Sequence, residues 1–109
     1  MFARNVSVHL KSNMLSEYNH VFEGQILPLL RKQTGFRDEI TLVSPSGVDV
    51  TAISLWDTKA NADTYNANTY PEVVKVISKL VDGTARVQTC EVVNSTFHKI
   101  DKANVSIHA

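Results

Sequence analysis

Residues Thr51 to Tyr70 read TAISLWDTKANADTYNANTY, and the period changes midway through them. Up to Trp56 the residues alternate as a strand does, with Thr51, Ile53 and Leu55 on one side and Val50, Ala52 and Trp56 on the other. Beyond Asp57 or Thr58, either of which can cap a helix, Ala62 and Tyr65 recur at a helical step. Small-molecule pockets form where a strand end meets a helix start. The join at Trp56, the single tryptophan, therefore marks a candidate site without naming a reaction.

Working outward, Phe2 to Leu10 alternates as a first strand, with Phe2, Val6, Val8 and Leu10 on one side, Ala3, Asn5, Ser7 and His9 on the other, and Arg4 interrupting the apolar face. Ser12 or Asn13 is placed to cap a helix over Met14 to Gln33, whose Leu15, Tyr18, Phe22, Ile26 and Leu29 share one face. Pro28 inside that span predicts a kink. Gly35 reads as a helix stop, and Phe36–Ser44 and Val48–Trp56 read as a hairpin through Pro45-Ser46-Gly47. Thr69-Tyr70-Pro71-Glu72 has the spacing of a capping box that restarts the second helix, whose later half buries Val73, Val76, Ile77 and Leu80. Thr84 to Val93 follows as a fourth strand.

The order strand, helix, strand, strand, helix, strand predicts an α+β, ferredoxin-like βαββαβ domain over residues 1–96, with a four-stranded antiparallel sheet and both helices on one face. The tail over residues 97–109 is expected to fray or to pack on a partner subunit. The third strand is partly apolar on both sides, so one sheet face would be left wet in a two-layer monomer. Packing two sheets face to face removes that exposure, which predicts a homodimer.

Composition narrows the partners. The 109 residues suit one domain, and 43% hydrophobic with 20% charged residues is ordinary for a globular protein. Eleven basic residues balance eleven acidic ones, so there is no field to draw in nucleic acid. No stretch approaches the roughly 20 apolar residues of a membrane span, and the alternating start is unlike a signal peptide, so a cytoplasmic location is expected. Cys90 stands alone and cannot form an internal disulfide.

Four short motifs in order carry a family resemblance: Phe2-Ala3-Arg4-Asn5, Gly35-Phe36, Ser54-Leu55-Trp56-Asp57 and Thr69-Tyr70-Pro71. Across Met1 to Asn94 the chain resembles the dimeric α+β barrel proteins of the antibiotic biosynthesis monooxygenase type. The resemblance implies two sheets closing a barrel, and in each subunit a cleft between helices and sheet that takes aromatic polycycles, small quinones or haem, depending on the member. It also implies that Tyr65 stands where oxygenating members have a tryptophan, Asn61 where they have an asparagine one turn earlier, and Asn5 where haem-degrading members point an asparagine into the cleft. Their haem-ligating histidine falls near Lys75, and a protonated ammonium cannot ligate iron. Haem breakdown is therefore disfavoured.

Oxygenation without metal or flavin needs an electron-rich phenol, a polar group for its anion and a dry wall. The expected catalytic residues are Asn5, His9, Asn61 and Tyr65, with His9 as proton acceptor. Phe22, Trp56, Tyr70 and Arg86 are the expected substrate contacts. No cofactor is expected, and the ligand is a small apolar or aromatic compound. Two alternatives remain at this level: a non-catalytic homodimer binding a small molecule in the same cleft, and aromatic residues that are simply core. Asp38 and Glu39, adjacent on a strand, should face opposite ways and read as edge-strand charges.

Overall fold

Alternation at the N-terminus produces β1 (Phe2–Leu10), an inner strand of a four-stranded antiparallel sheet. The other strands are β2 (Phe36–Val43), β3 (Asp49–Trp56) and β4 (Val81–Glu91), and the order across the sheet is β2-β3-β1-β4. Between β1 and β2 run α1 (Leu15–Val21), a π turn (Phe22–Ile26) and α2 (Leu27–Arg31); between β3 and β4 run α3 (Lys59–Asn68) and α4 (Tyr70–Ile77). This is the expected ferredoxin-like arrangement, seen in a computed structural model whose described residues are 1–100. The helices cover the sheet face that carries Val8, Leu10, Val50 and Trp56, and the core lies between them.

The first helical stretch departs from the sequence reading in two places. Neither Ser12 nor Asn13 caps it: Met14 holds the cap position without a side-chain bond, and Asn13 turns the chain at φ 62°, a conformation asparagine tolerates. Further along, Tyr18, Phe22, Ile26 and Leu30 are buried at strict four-residue steps. In a pure α-helix each such step overshoots a turn by about 40°, so the face would wind off the sheet. The π turn, in which the Leu27 N–H reaches the Phe22 carbonyl five residues back, absorbs that drift. Leu30 is consequently buried where Leu29 was expected, and Pro28 falls in the first turn of α2, where its missing N–H is not needed.

A bulge in β2 sets which of its residues meet the helices. Phe36 pairs with Trp56, but Asp38 pairs with Leu55, so Arg37 is one residue too many. Its guanidinium grips Asp57 through two hydrogen bonds. After the bulge Glu39 pairs with Ser54 and faces the helices, while Asp38, Ile40 and Leu42 share the open face with Ile53 and Leu55. β2 lies at the sheet edge and Asp38 and Glu39 face opposite ways, as expected, and the shift in phase puts Glu39 on the helix side.

Thr58 caps α3, its Oγ1 accepting from the Asn61 N–H at 3.1 Å. The chain breaks at Thr69 as expected, but no capping box forms. The Thr69 hydroxyl instead donates to Gln33 Oε1 at 3.3 Å and ties the break to the end of α2. β4 starts at Val81, earlier than expected, with a slip in its pairing to β1 between Ser7 and His9. Beyond β4 the chain crosses toward β2, where His98 Nε2 bonds the Asp38 carboxylate. Residues 101–109, the rest of the tail, lie outside the described residues.

Gly35 joins α2 to β2 at φ +80°, and a Cβ there would overlap the Asn61 side chain. Both backbone and space require glycine. Gly35→Ala should cost about 1–3 kcal/mol, read as a fall in Tm on thermal unfolding; a variant as stable as the parent would refute this account of the join.

Candidate functional site

On the helix-facing side of the sheet one cross-strand row brings three polar residues together, with Thr89 of β4 continuing the row beyond Arg4. Ser54 on β3 pairs with Arg4 of β1 on one side and with Glu39 of β2 on the other. All three line a cavity of about 30 Å³ between sheet and helices, closed over by Tyr18, Tyr65 and Tyr70 among aliphatic side chains. That volume holds about two waters.

Arg4 is the unusual member, only 2% exposed. Its Nη2 donates to Asn66 Oδ1 at 2.5 Å, and its guanidinium lies 4.0 Å from the Tyr70 ring centroid and 5.3 Å from that of Tyr65. No carboxylate pairs with it among the described residues. Burial lowers its pKa while Tyr65 and Tyr70 oppose the shift, and a guanidinium stays charged under such conditions. The cation is thus held by ring faces and one amide oxygen.

Aromatic contacts fix the surroundings. Trp56 is fully buried, donates from Nε1 to Ser54 Oγ at 2.8 Å and packs 5.0 Å from Tyr65, with Phe36 edge-on at 5.6 Å. Tyr65 stands 6.1 Å from Tyr70, whose buried hydroxyl has no partner among the described residues. Burial pushes the Tyr65 phenol up to about 12, with Arg4 opposing, and raises Tyr18 and Tyr70 as well. Glu39 is raised by burial too, against a 2.6 Å hydrogen bond from Thr41 Oγ1.

Of the residues expected from sequence, Tyr65, Tyr70 and Phe22 meet in this cleft. Trp56 lies behind Tyr65 and does not reach the cavity surface. Asn5 and Arg86 are placed on the other side of the sheet, in a polar hollow of about 450 Å³ with Ser7, Thr51 and Gln88. Strand alternation is the reason: Arg4 points into the cleft, so its neighbour Asn5 cannot. His9 bonds exposed Asp49 at 2.8 Å, on the same open side. Asn61 belongs to the α3 cap, accepting from Thr58 Oγ1 at 2.7 Å. Missed from sequence were Arg4, Glu39, Ser54, Tyr18 and Asn66. For Arg4 a signal existed, since a charge on the apolar face of an inner strand has to be buried among something.

With this geometry in view, the class of fold can be stated: it is that of the antibiotic biosynthesis monooxygenases. One antibiotic biosynthesis monooxygenase superposes with a TM-score of 0.70 at 14% identity, covering 86% of this chain and 100% of that one. The monooxygenase ActVA-Orf6 of Streptomyces coelicolor, in complex with nanaomycin D, gives 0.75 at 14% identity over 90% and 92%. A mutant of SnoaB, a cofactor-independent oxygenase from Streptomyces nogalater, gives 0.71 at 14% identity over 87% and 95%. No protein-family model matches the sequence, and no curated protein does. No helix among the described residues is long and apolar enough to cross a membrane.

Two measurements check the electrostatics. Replacing a buried unpaired charge by an apolar chain of similar size is neutral or stabilising, whereas stripping it of a hydrogen bond costs about 1–3 kcal/mol. Arg4→Met should therefore hold or raise Tm, and Asn66→Ala should lower it. Tyr65 titrates near 12 when folded and near 10.0 when unfolded, so its contribution is complete below pH 10 and is lost as pH rises toward 12. Tm measured from pH 9 to 12 should fall over that window, and less steeply in Tyr65→Phe.

Proposed function

We propose that the protein is a monooxygenase acting on a small phenolic or quinone-like aromatic compound in this cleft, without metal or flavin. The observation that carries the reading is the buried Arg4 guanidinium, which has no carboxylate partner among the described residues and sits against aromatic rings. Such a cation is costly to keep and is relieved by an anion arriving with its own ring. A phenolate answers that description. The fold of SnoaB and ActVA-Orf6 supports the class of reaction.

The chemistry asks little of the protein beyond ionisation and dryness. A phenolate is electron-rich enough to react with O₂ at a ring carbon. One oxygen atom becomes a new carbonyl and the other leaves as water with the phenolic hydrogen and the one hydrogen of the oxidised ring carbon, so phenol plus O₂ becomes quinone plus water. The substrate supplies the electrons. Arg4 stabilises the anion, and the tyrosine and aliphatic wall keeps water from the intermediate.

Access runs past Tyr70. This ring and Ile77 line both the small cavity and a neighbouring groove of about 270 Å³ between α4 and β4. Turning the Tyr70 ring away from Arg4 joins the two, bringing the space to the roughly 300 Å³ at which small-molecule sites begin. Oxygen uptake with a panel of hydroquinones tests the reading. Uptake above buffer should fall at least about 10-fold in Arg4→Met; no uptake with any member of the panel would overturn the reading.

The cavity's small volume favours one second reading, a binding module without turnover. Native mass spectrometry of the purified protein separates the two: a retained ligand unchanged under air selects binding alone.

The same proposal includes a cytoplasmic homodimer formed through the open sheet face. Ile40 and Leu42 are each 50% exposed there and Phe97 is 79% exposed, beside Ile53 and Leu55. A second copy of this face would cover them. Ile40→Asp should convert a dimer to a monomer in analytical ultracentrifugation; a monomeric parent protein would remove the barrel from the proposal.

A further inference from the structure

The proposed reaction begins with loss of a phenolic proton, and His9, the acceptor expected from sequence, is paired to Asp49 on the far side of the sheet. Among the described residues the cleft is lined by one carboxylate, that of Glu39. Glu39 reaches it because the Arg37 bulge turns this part of β2 toward the helices, and Ser54 separates it from Arg4 in the cross-strand row. Strands in a sheet stand roughly 4.8 Å apart, so the Glu39 and Arg4 backbones are about 10 Å apart with Ser54 midway. An oxygen held over Ser54 would stand between the strand that carries the carboxylate and the strand that carries the guanidinium. Thr41 Oγ1 binds Glu39 Oε2, leaving Oε1 without a partner among the described residues.

We infer that Glu39 is the catalytic base of this cleft, taking the proton of a phenolic hydroxyl held over Ser54 while Arg4 receives the oxyanion. The inference rests on the aromatic-oxygenase reading above. In the step the substrate O–H bond breaks and a carboxyl O–H bond forms on Oε1; the negative charge moves from Glu39 to the substrate oxygen beside the guanidinium. Charge is conserved, and Arg4 gains the anion it lacked. Burial narrows the gap between the two acids, because it raises Glu39 while the neighbouring cation lowers a bound phenol. The charged and titratable groups facing Glu39 in the cleft are Arg4 from β1, Tyr18 from α1, Tyr65 from α3 and Tyr70 from α4; the π turn and α2 contribute Phe22, Ile26 and Leu30.

Full-length protein, a hydroquinone substrate such as 1,4-dihydroxynaphthalene, and 4-nitrophenol as a non-oxidised binding probe read by absorbance test the assignment. Wild-type kcat/KM should rise with pH along an acid limb that reports Glu39. Glu39→Gln should still bind 4-nitrophenol, lose at least about 100-fold in kcat and lose the limb. Thr41→Val removes the hydrogen bond that holds Glu39 down, so its limb should move to higher pH with turnover retained, a displacement that loss of packing alone would not produce. Turnover by Glu39→Gln with the limb intact, or an unmoved limb in Thr41→Val, overturns the inference and leaves the oxygenase reading standing. Wild-type protein that neither binds the probe nor consumes oxygen overturns that reading, and the assignment falls with it.

Discussion

The hydrogen bond from the Trp56 indole to Ser54 is the constraint on which the rest of the site depends. A buried indole has to satisfy its N–H, and an acceptor two residues back on the same strand is the nearest point on its own face. Meeting that need holds the ring behind the cleft, where Phe36 packs edge-on and Tyr65 lies 5.0 Å away. Tyr65 fixes how α3 sits on the sheet. Tyr70 follows from α4, and the two rings together receive Arg4. The chain of contacts therefore runs from a strand residue that never meets the cavity to the cation that defines it.

Arg4 occupies a position where an aliphatic residue would serve folding better. Its neighbours on the same face of β1 are Val6, Val8 and Leu10, and the register opposite offers Ser54 and Thr89. A guanidinium put there gives up its hydration and recovers one amide oxygen and two ring faces, a weak exchange for a full charge. Residues that oppose stability in this way concentrate at sites where binding or chemistry uses them. The three tyrosines reinforce the point. Burial holds them protonated, so they present hydroxyls and ring faces to the cleft but no negative charge that would neutralise the arginine.

Much of this was legible in the sequence, and the failures that moved a side chain to another face share one cause. Period-two and period-3.6 patterns placed β1, the β2–β3 hairpin and the inward aromatics Phe22 and Tyr65, because each of those depends only on spacing within one element. The place of Glu39 in the cleft was missed because a single extra residue at Arg37 reverses the faces of all that follows in β2, and a bulge leaves no mark in hydrophobic alternation. Leu29 and Leu30 exchanged places for the helical version of the same reason, one residue gained in the π turn. Asn5 went to the wrong side because matching it to a cleft-facing asparagine by position tolerates a one-residue offset, and in a strand that offset inverts the side chain. The alternation itself had already put Arg4 with Val6 and Val8.

That inversion also joins the two faces of the sheet. Arg4 and Asn5 are consecutive residues of one inner strand, Arg4 facing the cleft and Asn5 facing the open side with a buried Oδ1 that nothing among the described residues satisfies. An inner strand cannot shift to suit one face without moving side chains on the other, since its backbone is hydrogen-bonded to β3 and β4 on both flanks. A second copy pressed against the open face would hold β1 from the side opposite the cleft, and with it the height at which the Arg4 side chain leaves the sheet. Pairing of two chains and presentation of the cation would then be two consequences of one strand's position, although no residue of the partner needs to enter the cleft.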